Sequence, residues 1–156
     1  MTSLRQKYKN ITGETLPDAP AALAAYVPYR HLGNQLVVSG QLPLRDGALV
    51  YTGLVEQDVS MDDAIAAAKL CTTNILSQLC KAIDDDLTRL QGCLVVRGFV
   101  AAPSNFTKHP LIINGASEFL SEILGPELGA HARAAVGMAS LPLGAPVEVE
   151  ATFITL

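Results

Sequence analysis

Apolar residues recur every third or fourth position in two stretches of this chain and every second position near its carboxyl end, which predicts helices and strands in turn. Leu4, Tyr8 and Ile11 share one face of a short helix over residues 3 to 12, stopped at Gly13. Leu16 to Ala25, rich in Pro and Ala, reads as a loop leading into the first strand. Tyr29 to Leu32 and Gln35 to Ser39 predict a hairpin across Gly33-Asn34, and Ala48 to Thr52 a third strand after the turn Arg45-Asp46-Gly47. Ser60 caps a long helix running to about Ile83, with Asp62 and Asp63 in the first turn, where they meet the positive end of the dipole. Met61, Ile65, Ala68, Ile75 and Leu79 form its one buried stripe. Gln91 to Ala101 is a strongly apolar strand, and a second long helix spans roughly Pro110 to Leu124, ending at Gly125-Pro126.

Two strands finish the chain, Ala132 to Ala139 and Val147 to Leu156. The last one alternates sharply. Val147, Val149, Ala151 and Phe153 point one way, and Glu148, Glu150, Thr152 and Ile154 the other. The order predicts an α+β fold in one domain, 1–156, with both main helices on one sheet face. Within it, residues 1–18 are the amino-terminal helix and lead-in, and 19–156 the core. The opposite face, carrying Glu148, Glu150 and Ile154 among few charges, is expected to pack against another subunit. A simple hairpin turning near Pro142-Leu143 would set Arg133 opposite Thr152 and leave Glu148 roughly 14 Å along the strands. Either a bulge closes that gap or the two residues meet from different subunits.

Composition narrows the function. The 156 residues are 49% apolar and 17% charged, with a net charge of −4, so a nucleic-acid binder is not expected. Tryptophan is absent and aromatics are 5%, which offers no base-stacking platform. Cys71, Cys80 and Cys93 have no metal-ligand spacing and read as small apolar residues. Asp84-Asp85-Asp86 lacks the alternation of a calcium loop and reads as a solvated turn. No glycine-rich phosphate loop or His/Cys cluster signals a cofactor or metal. No signal peptide and no run long enough to span a membrane is seen, so a cytoplasmic protein without membrane partners is expected.

Arg133 is the most informative cation. On a strand it shares its face with Ala135 and Gly137, whose small side chains leave a hollow over the guanidinium. That fork can hold both oxygens of a carboxylate and stays charged. The plainer alternatives are a surface arginine or one paired internally with Glu148 or Glu150. His131 can share the arginine's face, but an ordinary histidine is the simpler reading, as it is for His31 and His109. Arg97 is expected to meet a carboxylate across an interface.

Three segments carry a family resemblance. Arg133 to Ala151, with its Leu141-Pro142 turn and Glu148-Val149-Glu150-Ala151, resembles the closing signature of the reactive-intermediate-deaminase (Rid, or YjgF-like) family. Leu36 to Pro43, an apolar strand running into Ser39-Gly40-Gln41-Leu42-Pro43, resembles its early signature. Ala19-Pro20-Ala21 with Tyr26 is similar to its lead-in, and Asn114 falls where the family has an asparagine on the second helix. Together they span most of residues 19 to 155, in order.

The resemblance implies a chorismate-mutase-like mixed sheet, a cytoplasmic homotrimer, and hydrolysis of 2-imino acids to 2-keto acids and ammonia between subunits, without cofactor or metal. It casts Arg133 as the grip on the substrate carboxylate and Glu148 as the acid that activates water. Ser39, Gly40, Tyr26 and Asn114 would line or close the pocket, with His131, Ala135 and Glu150 nearby. Ala135 departs from the cysteine or aromatic residue common two positions after the arginine, and the amino-terminal helix is an addition. A module that binds small carboxylates or 2-keto acids without turnover is the alternative, and a ribonuclease a distant third, given the acidic charge.

Overall fold

The computed structural model describes residues 3–156. Helix α1 (Leu4–Thr12) opens on Ser3, whose hydroxyl accepts from the Gln6 N–H, and closes on Gly13 at φ 77°, a left-handed backbone suited to glycine. Strands β1 (Tyr29–Leu32) and β2 (Gln35–Gln41) form the expected hairpin. The third strand expected over 48 to 52 shrinks to β4 (Ala48–Leu49), paired with β3 (Leu44–Arg45) in a separate two-stranded hairpin. Asp46 at φ 51° and Gly47 at φ 78° form its tight primed turn. Asn74 donates to the carbonyls of Leu42 and Leu44, at 3.0 Å each, and holds this hairpin away from the main sheet.

Helix α2 (Met61–Ala82) starts at Ser60, whose hydroxyl accepts from the Asp63 N–H. Strand β5 (Leu90–Ala101), helix α3 (His109–Leu124), strand β6 (Ala132–Met138) and strand β7 (Val147–Thr155) complete the chain. The main sheet runs β1-β2-β7-β5-β6. Its centre is β7, antiparallel to both β2 and β5, while β6 runs parallel to β5 at the edge.

This order overturns the expected hairpin of the last two strands. The chain from β5 through α3 to β6 is a parallel crossover, which sets β6 outside β5. The apolar, sharply alternating β7 then enters the middle. Thr152 pairs with Val37 and Val95 instead of Arg133.

Both long helices pack on one sheet face, over Val147, Val149, Ala151 and Phe153, which are buried. Glu148 and Glu150 therefore point to the other face, as alternation requires. Helix α2 exceeds its predicted stripe: every residue from Cys71 to Cys80 is buried. The reason is a second covering layer, because α1 and the lead-in lie over its outer side. Tyr8 meets the Thr73 hydroxyl at 3.4 Å, and Gln78 donates to the Pro20 carbonyl at 2.6 Å.

The acidic run 84–86 is a turn with Asp84 exposed, as expected, but its middle residue is also a tether. Asp85 accepts from the Ser3 hydroxyl at 2.6 Å and from the Arg5 N–H at 2.8 Å, fixing the start of α1. Burial works to raise the Asp85 pKa, but these hydrogen bonds outweigh it and hold the carboxyl below its ordinary value. Arg5 then reaches the Leu16 carbonyl at 3.0 Å, linking α1 to the lead-in.

Asp85→Asn is expected to lower stability at pH 7 by roughly 1–3 kcal/mol, read from the urea midpoint. A carboxyl with a depressed folded-state pKa contributes fully above its unfolded value and loses that contribution as pH falls through the folded one. Wild type and variant should therefore converge in acid. A gap that stays constant down to that range would show that Asp85 does not act through its charge.

Candidate functional site

Glu148 sits between Val147 and Val149, both fully buried on the helix side, so its carboxylate must leave by the open face. Gly40 makes the room. Val38 pairs with Ala151 and Gln41 with Val149, so β2 carries one extra residue around Ser39-Gly40, a β-bulge. A Cβ on Gly40 would stand 2.0 Å from Glu148 Oε1, closer than any side chain tolerates. The ion pairs among the described residues do not involve Glu148. Burial raises its pKa above the ordinary carboxylate value, and the nearby charge of Glu150 adds to the rise.

A pocket of about 270 Å³ opens beside this carboxylate, lined by Tyr26, Gly40, Gln41, Leu42, Leu143 and the segment 20–24. The structure thus brings together three expected site residues, Glu148, Gly40 and Tyr26. Ser39 lies just outside the lining. Its hydroxyl donates to the Val27 carbonyl at 2.8 Å and its N–H to the Pro28 carbonyl at 2.9 Å. Ser39 thereby ties the stretch that carries Tyr26 to the bulge that accommodates Glu148.

The second group of expected residues gathers elsewhere. Arg133 pairs with Val96 and Ala135 with Gly98, which puts both on the helix side of edge strand β6. The hollow expected above Arg133 is filled by α3: a Cβ on Gly98 would meet Ile113 at 2.3 Å, and one on Gly137 would meet His109 Nε2 at 2.5 Å. The small residues there admit a helix, and Ala135 packs against the core. Arg133 Nη1 donates to Asn114 Oδ1 at 2.8 Å and Ser117 Oγ at 3.3 Å, and Nη2 to the Pro110 carbonyl at 3.4 Å. All three acceptors are neutral, and among the described residues no carboxylate pairs with Arg133. Of the five N–H donors of a guanidinium, Nε–H and one on Nη2 are left for a guest.

His131 completes this cluster from the side. Its Nδ1 donates to the Gly129 carbonyl at 2.6 Å, and its Nε2 meets Ser117 Oγ at 2.8 Å. It orients Ser117, which in turn receives Arg133. Two other expectations change. Arg97 pairs with Glu150 of its own chain at 2.9 Å on the open face, because the β5–β7 register sets them opposite each other. That bond also engages Glu150. His31 meets the Thr155 hydroxyl at 2.7 Å, and His109 stacks edge-on against Phe106.

Sequence reading missed Ser117, Leu143 and Leu23. Ser117 was legible only as three residues beyond Asn114, one helical step. Leu143 was legible as an apolar residue just before Gly144 in a turn. Burial pushes the thiols of Cys80 and Cys93 up to about 11 and about 12, and that of Cys71 well above its ordinary value, so all three are inert fillers as expected.

Residues 8–151 match the family model described as "YjgF/chorismate mutase-like, putative endoribonuclease". Protein TCP17 of Trypanosoma cruzi is 40% identical over 139 residues, which span 89% of this chain and 86% of that one. The crystal structure of Atu1372 from Agrobacterium tumefaciens, a protein described as having unknown function, aligns with a TM-score of 0.88 at 44% identity over 99% of this chain and 94% of its own. A crystal structure from Shewanella oneidensis, described as a "putative endoribonuclease", aligns with a TM-score of 0.90 at 32% identity over 97% and 99%.

Two substitutions test the geometry around the carboxylate. Gly40→Ala should destabilise by about 1–3 kcal/mol through overpacking, and Glu148→Ala in the same chain should remove most of that loss. An equal loss with or without Glu148 would show that the glycine serves something else. Glu148→Gln should be more stable than wild type at pH 7. A carboxyl with a raised folded-state pKa loses its contribution as pH climbs from its unfolded value through the folded one. The two melting temperatures should therefore meet near the bottom of the carboxylate range. A variant less stable at every pH would contradict this.

Proposed function

The chain belongs to the YjgF/chorismate-mutase-like family, and on that premise we propose that it hydrolyses reactive 2-imino acids to 2-keto acids and ammonia, in a cleft between copies of itself. The observation that carries this reading is the Glu148 carboxylate, given room by Gly40, outside the ion pairs of the described residues and raised in pKa beside an open pocket. A carboxyl whose pKa is raised by burial is a stronger proton acceptor than an ordinary one and can take a proton from water and return it.

Arg133 is the proposed anchor for the substrate carboxylate, with Asn114 and Ser117 holding its fork in place. It cannot serve the Glu148 of its own chain directly. The two lie on opposite faces of the sheet, with β5 between their strands and Arg133 level with Ala151, about 14 Å apart in the sheet plane. The working site therefore pairs Glu148 of one copy with Arg133 of another, in keeping with the trimer that the family resemblance implies. The open sheet face, where the exposed Val37 and Val136 lie on either side of the Arg97–Glu150 pair, supplies apolar surface for such packing.

The chemistry uses these groups and one water. Arg133 orients the imino acid, and Glu148 accepts a proton as the water oxygen bonds to the C=N carbon. Glu148 returns that proton to nitrogen to give a carbinolamine, whose hydroxyl proton then passes by way of Glu148 to the amine. Collapse of the tetrahedral carbon forms C=O, breaks the C–N bond and releases ammonia. Orientation supplies most of the acceleration, because the imine carbon is already electrophilic.

Purified protein should speed ammonia release from imines generated by an amino-acid oxidase. Arg133→Ala and Glu148→Gln should each reduce that gain by about 100-fold or more. Coexpressing the two inactive variants should restore part of it, since mixed assemblies contain sites with both wild-type residues. Wild-type rates equal to a no-protein control would end the proposal. Ligand binding that survives Glu148→Gln, with no turnover in either protein, would establish a binding module instead. RNA cleavage that persists after trace nucleases are removed would reinstate the ribonuclease reading.

A further inference from the structure

The pocket beside Glu148 has an unusual rim. Leu143, Leu23 and Tyr26 are 66%, 54% and 47% exposed, and all three line it. Its floor is apolar too, formed by Leu42 and Leu44, which pack with the buried Ala145. Among the described residues, no lysine, arginine or histidine contributes to the lining, and its only ionisable groups there are Glu148 and the Tyr26 hydroxyl. A ligand carboxylate placed inside would face Glu148 without a counter-charge from the same chain. Apart from Gln41 and Glu148 the side chains lining it favour an apolar guest, with any hydrogen-bond donor turned toward Glu148.

Leu143 is poorly explained by folding alone. It occupies φ 59°, ψ 9°, a left-handed conformation that disfavours any residue with a Cβ. The turn around it is pinned, with the Gly144 carbonyl accepting from the Gly53 N–H at 2.8 Å and the Gly144 N–H donating to Leu141 at 3.1 Å. Stability alone would favour glycine or asparagine here. Leucine instead strains the backbone and exposes an apolar side chain, and it does so at the mouth of an apolar pocket. The volume, about 270 Å³, lies just below the roughly 300–1,000 Å³ of typical small-molecule sites. That suits one substantial side chain, not a nucleotide or large cofactor.

We propose that this pocket is a selectivity chamber for the ligand's carbon chain, with Leu143 as its specificity-determining residue. It favours 2-imino and 2-keto acids with branched or aromatic side chains over those with short or polar ones. The inference rests on the hydrolytic reading only in placing the reacting carbon near Glu148, with the ligand carboxylate outside the chamber.

The test uses the full chain, as wild type, Leu143→Gly and Leu143→Ala. Calorimetry compares binding of 4-methyl-2-oxopentanoate and phenylpyruvate with pyruvate, and ammonia release compares imines of leucine and phenylalanine with those of alanine and serine. Wild type should favour the bulky compounds by at least about tenfold, the scale of a few methylenes in an apolar pocket. Both variants should lose several-fold of that preference. Leu143→Gly should melt at the wild-type temperature or above it, because its backbone strain is relieved.

A wild-type ratio near one, or a ratio unchanged in both variants, overturns the chamber. So does a change of assembly size in sedimentation without a change of ratio, which would make Leu143 a subunit contact. Selective binding without ammonia release sinks hydrolysis and leaves the chamber standing. Ammonia release with no side-chain preference does the reverse, and failure of every compound to bind or react removes both.

Discussion

The burial of alternate residues on the central strand governs this molecule. Val147, Val149, Ala151 and Phe153 are fixed against the helices by the hydrophobic effect. Because strand side chains alternate with period two, a one-residue slip would exchange the two faces and bury carboxylates in the core. Glu148 is thus held on the open face by its neighbours' burial and needs no polar anchor of its own. A carboxylate positioned by apolar neighbours keeps both oxygens available for a guest.

The remaining features adapt to that constraint. The extra residue in β2 lets a glycine face the carboxylate, and Ser39 at the same bulge fastens the lead-in that carries Tyr26. The lead-in is held in turn by Gln78 of α2 and by Arg5 of α1, which is itself tethered through Asp85. The amino-terminal helix is therefore connected by successive hydrogen bonds to one wall of the pocket. Its role is support at a distance: it reaches the site only through the backbone it holds in place.

Arg133 obeys a different logic. It sits on the edge strand and is shaped by the helix of its own crossover unit, whose Asn114 and Ser117 take part of its fork and leave the rest open. The sheet separates it from Glu148, so two groups of complementary chemistry are displayed on opposite faces of one chain. On the proposed reading, such a chain is suited to symmetric assembly, where each copy completes another.

The family resemblance singled out the candidate residues, while the sequence by itself determined the helices, most strands and the facing of Glu148. Those depend on local periodicity, capping and turn chemistry, which operate within a few residues. Only the tertiary structure decided that β5 separates β6 from β7, that Arg97 engages Glu150, and that the space over Arg133 belongs to α3. Strand order depends on crossover handedness and on competition for the buried centre of the sheet, and neither leaves a local mark. The same holds for Asp85 and Leu143, whose surroundings come from segments far away in the chain. Residue types revealed which chemistry was available, and packing decided which of those groups could meet.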